Sequence, residues 1–306
     1  MNNMKKQIII AGASGTIGRN LAKFFHSNNY SIITLSRNIA KTTDILPFAN
    51  KHFSFAQLPR EEFLTELSQS IAVINLSGAS IGAKKWTEKY KNVIIESRVN
   101  TTRQIVTAII NSNTHPLLIN SSATGYYGNS GDVQVDEHSE PGKGFLSEVT
   151  QKWEAAAMVA ASHTRVVLAR KGFVLAPKAA ALKKLLLPFK FFAGGPLGSG
   201  HQWMPWIHID DICLIYQYII ENADINGAVN VVSPDLVRNS DFMQQLGEAL
   251  HRPSAIRTPA FAIKLLLGEQ AELVLAGQRV IPSKLIAAGY NFKFSTLKQA
   301  LKDIIK

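Results

Sequence analysis

The sequence predicts an α/β chain built on a doubly wound parallel sheet, and three observations carry that prediction. In the stretch from Gln7 to Gly18, an apolar run over residues 8–11 is followed by glycines at spacings of three: Gly12, Gly15 and Gly18. A helical pattern starts at once, with Ile17, Leu21, Phe24 and Phe25 on one face. Short apolar runs then alternate with helical segments as far as Val232. That alternation implies right-handed crossovers and a sheet covered on both sides.

The first strand, turn and helix supply the context a dinucleotide-binding fingerprint requires. Gly12 permits the tight turn, Gly15 lets backbone amides approach a diphosphate, and Gly18 lets the helix pack closely on the strand. The unpaired amides and positive end of that helix would hold the phosphates, which makes Gly12, Ser14, Gly15, Thr16, Ile17 and Gly18 the candidate phosphate-binding residues. The second strand, residues 31–35, ends at Ser36 and Arg37, where such a fold meets the adenosine ribose. A carboxylate there would bond the 2′-hydroxyl of NAD, whereas an arginine pairs with the 2′-phosphate of NADP. No Asp or Glu lies between Gly18 and Arg37, and Lys41 adds positive charge, so the pattern favours NADP(H) over NAD(H).

A charged helix over residues 60–70 leads to a strand over 72–76, whose exit, Leu76-Ser77-Gly78, would let a cofactor lie close to the backbone. After an insert at 81–90 comes a long helix, 92–111, and a strand, 116–120, opening into Ser121-Ser122 and then Tyr126-Tyr127. A polar loop reaches Gly144, followed by a helix over 146–162 and a strand over 164–169 ending in Arg170-Lys171-Gly172. Arg170, Lys171 and Gly172 are expected to leave the strand toward the nicotinamide end of the cofactor, with cofactor contact there. Beyond Pro177 the rhythm changes to a basic apolar helix (179–192), a Gly-rich turn (194–200), and the run Trp203 to Asp211. A helix (211–222) and a strand (228–232) rejoin the sheet, and helices at 240–250, 260–276 and 295–305 complete the chain. The expected division is a Rossmann domain over 1–176 with 205–233 returning to it. A substrate-covering lobe, smaller and mostly helical, would come from 177–204 and 234–306.

Composition narrows the function classes. Of 306 residues, 46% are apolar and 18% charged, a globular balance with room for a large core. The first residues are expected to run straight into a strand with no signal peptide before it, and no apolar stretch reaches the 18 residues of a membrane span. The single cysteine, Cys213, excludes an internal disulfide and a cysteine-based zinc cluster. A cytoplasmic protein, monomeric or homodimeric, with a small-molecule substrate and no membrane partner, is expected. The net charge of +11 is scattered, its densest cluster being Lys84, Lys85, Lys89 and Lys91, and no nucleic-acid-binding motif accompanies it. The eight histidines show no metal-ligand spacing, so no metal is expected. No lysine follows the first glycines in the manner of a P-loop, and no Gly-x-Ser-x-Gly elbow sits at a strand end.

With these residues laid out, the chain resembles the extended short-chain dehydrogenase/reductases, home of sugar-nucleotide epimerases and dehydratases. The match runs the length of the protein: the three glycines, the Asn-Leu-Ser-Gly exit at 75–78, Ser121-Ser122 followed by Tyr126, and Trp206-Ile-His-Ile-Asp-Asp211. More narrowly it is similar to the atypical "epimerase family" subgroup carrying a C-terminal domain of unknown function. The marks of that subgroup are Lys85-Trp86-Thr87, Glu96-Ser97-Arg98-Val99, Gly125-Tyr-Tyr-Gly128, the Gly-rich turn at 194–200, Gln202-Trp-Met-Pro-Trp206 and Leu266-Leu-Gly-Glu-Gln270.

The resemblance implies particular roles, and the departures from it matter most. Ordinary members use Tyr-x-x-x-Lys, in which the tyrosine moves the proton and the lysine lowers its pKa. Here Leu146 and Thr150 fall at those positions, so the usual relay is absent. Ser122 matches the residue that bonds the reacting oxygen, and Tyr126 matches a pocket aromatic; with the usual pair missing, proton transfer would fall to Tyr126 or to a water. Arg98 replaces an asparagine common in relatives, where a fixed cation would alter the field beside the cofactor or hold an anionic group. Ser121 lies beside the cofactor, and Tyr127, Gln202, Trp203 and Trp206 are candidate pocket walls. His208 and Asp210 could form a proton relay, although in relatives this stretch ties sheet to lobe. The expected function is that of an NADP(H)-binding oxidoreductase or epimerase-like enzyme. The alternative is a non-catalytic NADP(H)-binding redox sensor or scaffold.

Overall fold

Apolar runs four to seven residues long, bounded by turn residues, are too short for helices and become strands when both faces are covered. The computed structural model describes residues 5–305. The chain begins β1 (Gln7–Ala11), α1 (Thr16–Ser27), β2 (Ser31–Ser36), α2 (Ile39–Ile45), β3 (Lys51–Ser54), α3 (Glu61–Gln69), β4 (Ser70–Asn75), α4 (Glu88–Ile110) and β5 (Leu117–Ala123). It continues through β6 (Gln134–Val135), α5 (Phe145–Met158), β7 (Val166–Lys171), β8 (Phe173–Leu175), α6 (Ala180–Lys190), β9 (Trp206–His208), α7 (Ile209–Glu221) and β10 (Gly227–Val231). The last part holds α8 (Asn239–Leu250), α9 (Ala260–Leu267), α10 (Glu272–Leu275), β11 (Arg279–Val280), α11 (Ser283–Ala287) and α12 (Leu297–Ile304).

Seven strands form one sheet in the order β10-β7-β5-β4-β1-β2-β3, every neighbouring pair parallel. This is the doubly wound α/β sheet expected from the sequence. The order reverses beside β1, and ligands in such sheets collect at the C-terminal strand ends near that reversal. Alternation along each strand sends side chains to both faces, so the runs must be apolar throughout. Ile8 and Ile10 pack with Leu21, Phe25 and Tyr216 of α1 and α7, whereas Ile9 and Ala11 pack with Phe63, Ile105 and Ile109 of α3 and α4.

Several elements differ from the sequence expectation. Strand β3 sits at the sheet edge with the pattern Lys-His-Phe-Ser, too short and too polar to announce itself. The helix expected over 260–276 stops at Gly268, whose φ of +57° turns the chain out of the helical path. Two short parallel pairs stand apart from the main sheet: β8 with β9 ties the returning segment to the strand exit, and β6 with β11 fastens the C-terminal part to the sheet domain. Among the described residues, no helix is long and apolar enough to cross a membrane.

Candidate functional site

At the first turn the site is made of backbone. Gly12 has a φ of +78°, and a side chain there would meet the Leu76 carbonyl at 3.0 Å. The Gly15 amide donates to the Gly12 carbonyl (3.1 Å), and a Cβ on Gly18 would stand 2.5 Å from that same oxygen. Gly15 is the N-cap of α1, but no side chain caps the helix and no acidic residue lies in its first turn. The amides of Thr16, Ile17 and Gly18 therefore have no carbonyl one turn earlier in the helix, and they gather at its positive end. Ser14 is partly buried on the turn. Two hydroxyls flank the crevice: Ser36 at the end of β2 and Ser77 after β4 are both buried, and neither Oγ has a hydrogen-bond partner. Arg37 is exposed at the tip of β2. Open amides, a cradle that only glycine fits, two unpartnered hydroxyls and an exposed guanidinium together could receive the phosphates and ribose of a dinucleotide.

At the other end of the sheet edge, side chains dominate. Ser122 of β5 is buried and donates its proton to Glu154 Oε1 of α5 (2.5 Å). Glu154 is also held by Arg170, whose Nε and Nη2 reach its two oxygens at 2.8 Å each. Arg170 Nη1 donates to the Tyr127 hydroxyl (3.0 Å), which donates to Asn230 Oδ1 (2.7 Å). Burial pushes the Tyr127 phenol up to about 12, against the opposing pull of Arg170. The Arg170 guanidinium lies 3.4 Å from the centre of the Tyr126 ring, so the partly buried Tyr126 is fixed by stacking. The sequence places Arg170 at the cofactor and Tyr127 in a pocket wall. Both join a buried charged network, because the carboxylate of Glu154 needs a guanidinium partner away from water.

The helix that would carry the usual relay carries none. Leu146 packs over Gly125, where an added Cβ would meet its own at 3.2 Å. The Thr150 hydroxyl is directed into its own helix, toward the carbonyls of Leu146 and Ser147. Among the described residues, no cluster of His, Cys, Asp and Glu could hold a metal ion.

The candidates from the later part of the chain are structural ties. Trp206 is fully buried in the core and its indole donates to the Asp235 carbonyl, so it lines no pocket. Gln202 donates its amide to the carbonyls of Leu197 and Val274, closing the Gly-rich turn against the C-terminal part. Trp203 is partly exposed, bonded to Asp132 and stacked against Arg238. Gly172 meets the Pro205 carbonyl, where a Cβ would stand at 2.5 Å, so its missing side chain serves the β8–β9 crossing. His208 caps α7 by accepting the Asp210 amide at Nδ1, and its ring stacks on Phe294 at 3.8 Å. Asp210 pairs with Lys293, and the buried Asp211 carboxylate accepts from the amides of Lys293 and Phe294 and the hydroxyl of Tyr290. The His–Asp pair is thus a cap and an anchor.

Comparison with known proteins fits this architecture. Residues 8–232 match the NAD dependent epimerase/dehydratase family, and residues 258–304 match a domain of unknown function, DUF1731. The chain belongs to the epimerase/dehydratase family. Among relatives, a chloroplastic epimerase family protein SDR39U1 homolog of Arabidopsis thaliana is 38% identical over 98% of this chain and 86% of its own length. Epimerase family protein ML0860 of Mycobacterium leprae is 34% identical over 97% of this chain and 95% of its own. The crystal structure of human epimerase family protein SDR39U1 (isoform 2) with NADPH superposes with a TM-score of 0.89 at 31% identity, covering 98% and 99% of the two chains. The UDP-glucose 4-epimerase of Thermotoga maritima shares the fold, with a TM-score of 0.78 at 16% identity, covering 98% and 97%.

Within this member of the epimerase/dehydratase family, Lys171 is the residue of the Arg170-Lys171-Gly172 exit whose surroundings the sequence does not foretell. Lys171, the last residue of β7, donates Nζ to Ser121 Oγ (2.7 Å) and to the Ala169 carbonyl (3.3 Å). Strand alternation sends it to the face opposite Arg170. Its signal in the sequence is no more than a lysine at the exit of a central strand.

Proposed function

We propose that this epimerase-family protein binds NADP(H) and acts as an oxidoreductase or epimerase-like enzyme on a small polar substrate. The carrying observation is the uncapped, acid-free start of α1 combined with Arg37 at the tip of β2. The amides of Thr16, Ile17 and Gly18 would receive the diphosphate, and Arg37, with Lys41 close in sequence, the 2′-phosphate. Ser36 and Ser77 would turn their unpartnered hydroxyls to the ligand. The human relative solved with NADPH supports the phosphorylated coenzyme.

When bound, the coenzyme supplies a two-electron donor or acceptor at its nicotinamide. The chain supplies position and protons. Ser122, with its own proton committed to Glu154, has only lone pairs to offer a substrate. It would therefore orient a substrate hydroxyl instead of polarising a carbonyl. Tyr126, held flat against Arg170 on the loop leaving the same strand, is the phenol available for proton transfer.

A second reading, binding without turnover, is favoured by Leu146 and by the inward hydroxyl of Thr150. Calorimetry with NADPH, NADP, NADH and NAD tests the shared premise. NADPH is expected to bind most tightly, and Arg37→Ser to weaken it about tenfold to a hundredfold while leaving NADH unchanged. Absence of heat from all four would overturn both readings. Oxidation of NADPH with a panel of carbonyl compounds would separate the enzyme from the sensor.

A further inference from the structure

Two cations stand at the C-terminal ends of β4, β5 and β7 without a carboxylate against either. Arg98 of α4 is partly buried, its guanidinium 5.1 Å from the centre of the Trp153 ring. Its Nη1 donates to the Ile94 carbonyl of its own helix at 2.9 Å. That guanidinium also lies against the strand exit, since a side chain on Gly78 would meet its central carbon at 3.0 Å. Lys171 has only the neutral partners Ser121 and Ala169. Among the described residues, neither cation takes part in any of the ion pairs formed, although Arg170, the residue just before Lys171, is paired with Glu154.

A cation removed from water is normally matched by a fixed anion or loses its proton. The two respond to that pressure. Burial lowers the Arg98 guanidinium to about 10. Burial and then the charge of Arg98 lower the Lys171 amine to about 7. On α4 itself the nearby titratable group is Tyr90, a phenol that donates to the Ser80 carbonyl at 2.6 Å. On the α7 side the nearby groups are Tyr216 and Cys213, which burial keeps protonated and neutral. None of these neutral groups balances the pair.

We propose that Arg98 and Lys171 form a receptor for an oxyanion, a carboxylate or phosphate group carried by the substrate, beside the nicotinamide end of the crevice. The proposal rests on the nucleotide-binding reading and narrows its substrate class to anionic molecules. Guanidinium and ammonium divide the work of holding such a group, because the fork of Arg98 fixes orientation while Lys171 supplies a point charge. The bound anion would restore a full proton to Lys171, so binding weakens as pH rises through about 7.

The test titrates malonate and inorganic phosphate, separately, into the full chain by calorimetry, with and without saturating NADPH. Arg98→Met and Lys171→Met are each expected to weaken malonate or phosphate binding about tenfold or more, with NADPH affinity held within about threefold. Lys171→Arg is expected to retain the anion but lose the pH dependence, and it serves where the methionine variant fails to fold. Wild-type protein that binds neither anion, or variants that bind them unchanged, would overturn the proposal. A parallel loss of NADPH binding in both variants would also overturn it, assigning the cations to the coenzyme's own diphosphate. Wild-type protein that binds the anions but gives no heat with NADPH would leave the receptor standing and sink the nucleotide reading instead.

Discussion

The two ends of the sheet's C-terminal edge are built from different materials. Near β1 and β2 the site is backbone: glycines, uncapped amides and a helix end, with the charged side chain of Arg37 at the strand tip. Near β5 and β7 it is side chain: a buried carboxylate, two phenols, an arginine and a lysine tied into networks that reach as far as Asn230. A backbone site tolerates almost no change of residue type at a few positions. A side-chain site instead depends on partners far apart in the chain, and its failure mode is an orphaned charge.

Three perturbations sharpen that contrast, taken from the largest expected effect down. Glu154→Ala strands the buried Arg170, and loss of one partner of a buried ion pair costs about 3–5 kcal/mol. Urea unfolding should show that loss; a change below about 1 kcal/mol would mean the network is easily replaced by water. Gly18→Ala places a methyl carbon 2.5 Å from the Gly12 carbonyl, so α1 must shift off the strand. Such overpacking costs about 1–3 kcal/mol, and NADPH binding should fall with it because the amides move too. Unaltered NADPH affinity would show that the turn does not depend on the close approach.

The smallest effect concerns Lys171. Its folded-state value of about 7 lies below that of a lysine in the unfolded chain. Between the two values the unfolded state binds more protons, so the Lys171 contribution to folding is least favourable below about 7 and improves as pH rises from there toward about 10. Compared with Lys171→Met, wild-type protein should gain on the order of 1 kcal/mol across that window, allowing for solvent screening of a partly exposed side chain. Parallel stability profiles of the two proteins would show that Lys171 is not a desolvated cation.

The same contrast explains what could be read from sequence. Gly12, Gly15 and Gly18 are legible because steric demands on a turn select one residue type at fixed spacing. Loss of the tyrosine–lysine relay is legible at Leu146 and Thr150 because that motif is local to one helix. Trp206 and Gln202 mislead, since an aromatic and an amide beside a Gly-rich turn look the same whether they face a ligand or the core. Only the distant carbonyls of Asp235 and Val274 decide it. Arg170 and Lys171 are adjacent in sequence, yet one is neutralised by a residue 16 positions earlier and the other is left unmatched. No local pattern distinguishes them.

The Asp211 carboxylate, fully enclosed in α7, is satisfied by Tyr290, Lys293 and Phe294, and Asp235 similarly holds the Leu297 amide. All of these donors belong to the stretch that family models set apart at residues 258–304. Excising that stretch would leave a naked anion inside the remaining body, so the border drawn by evolutionary relatedness is not a seam along which the molecule can be cut.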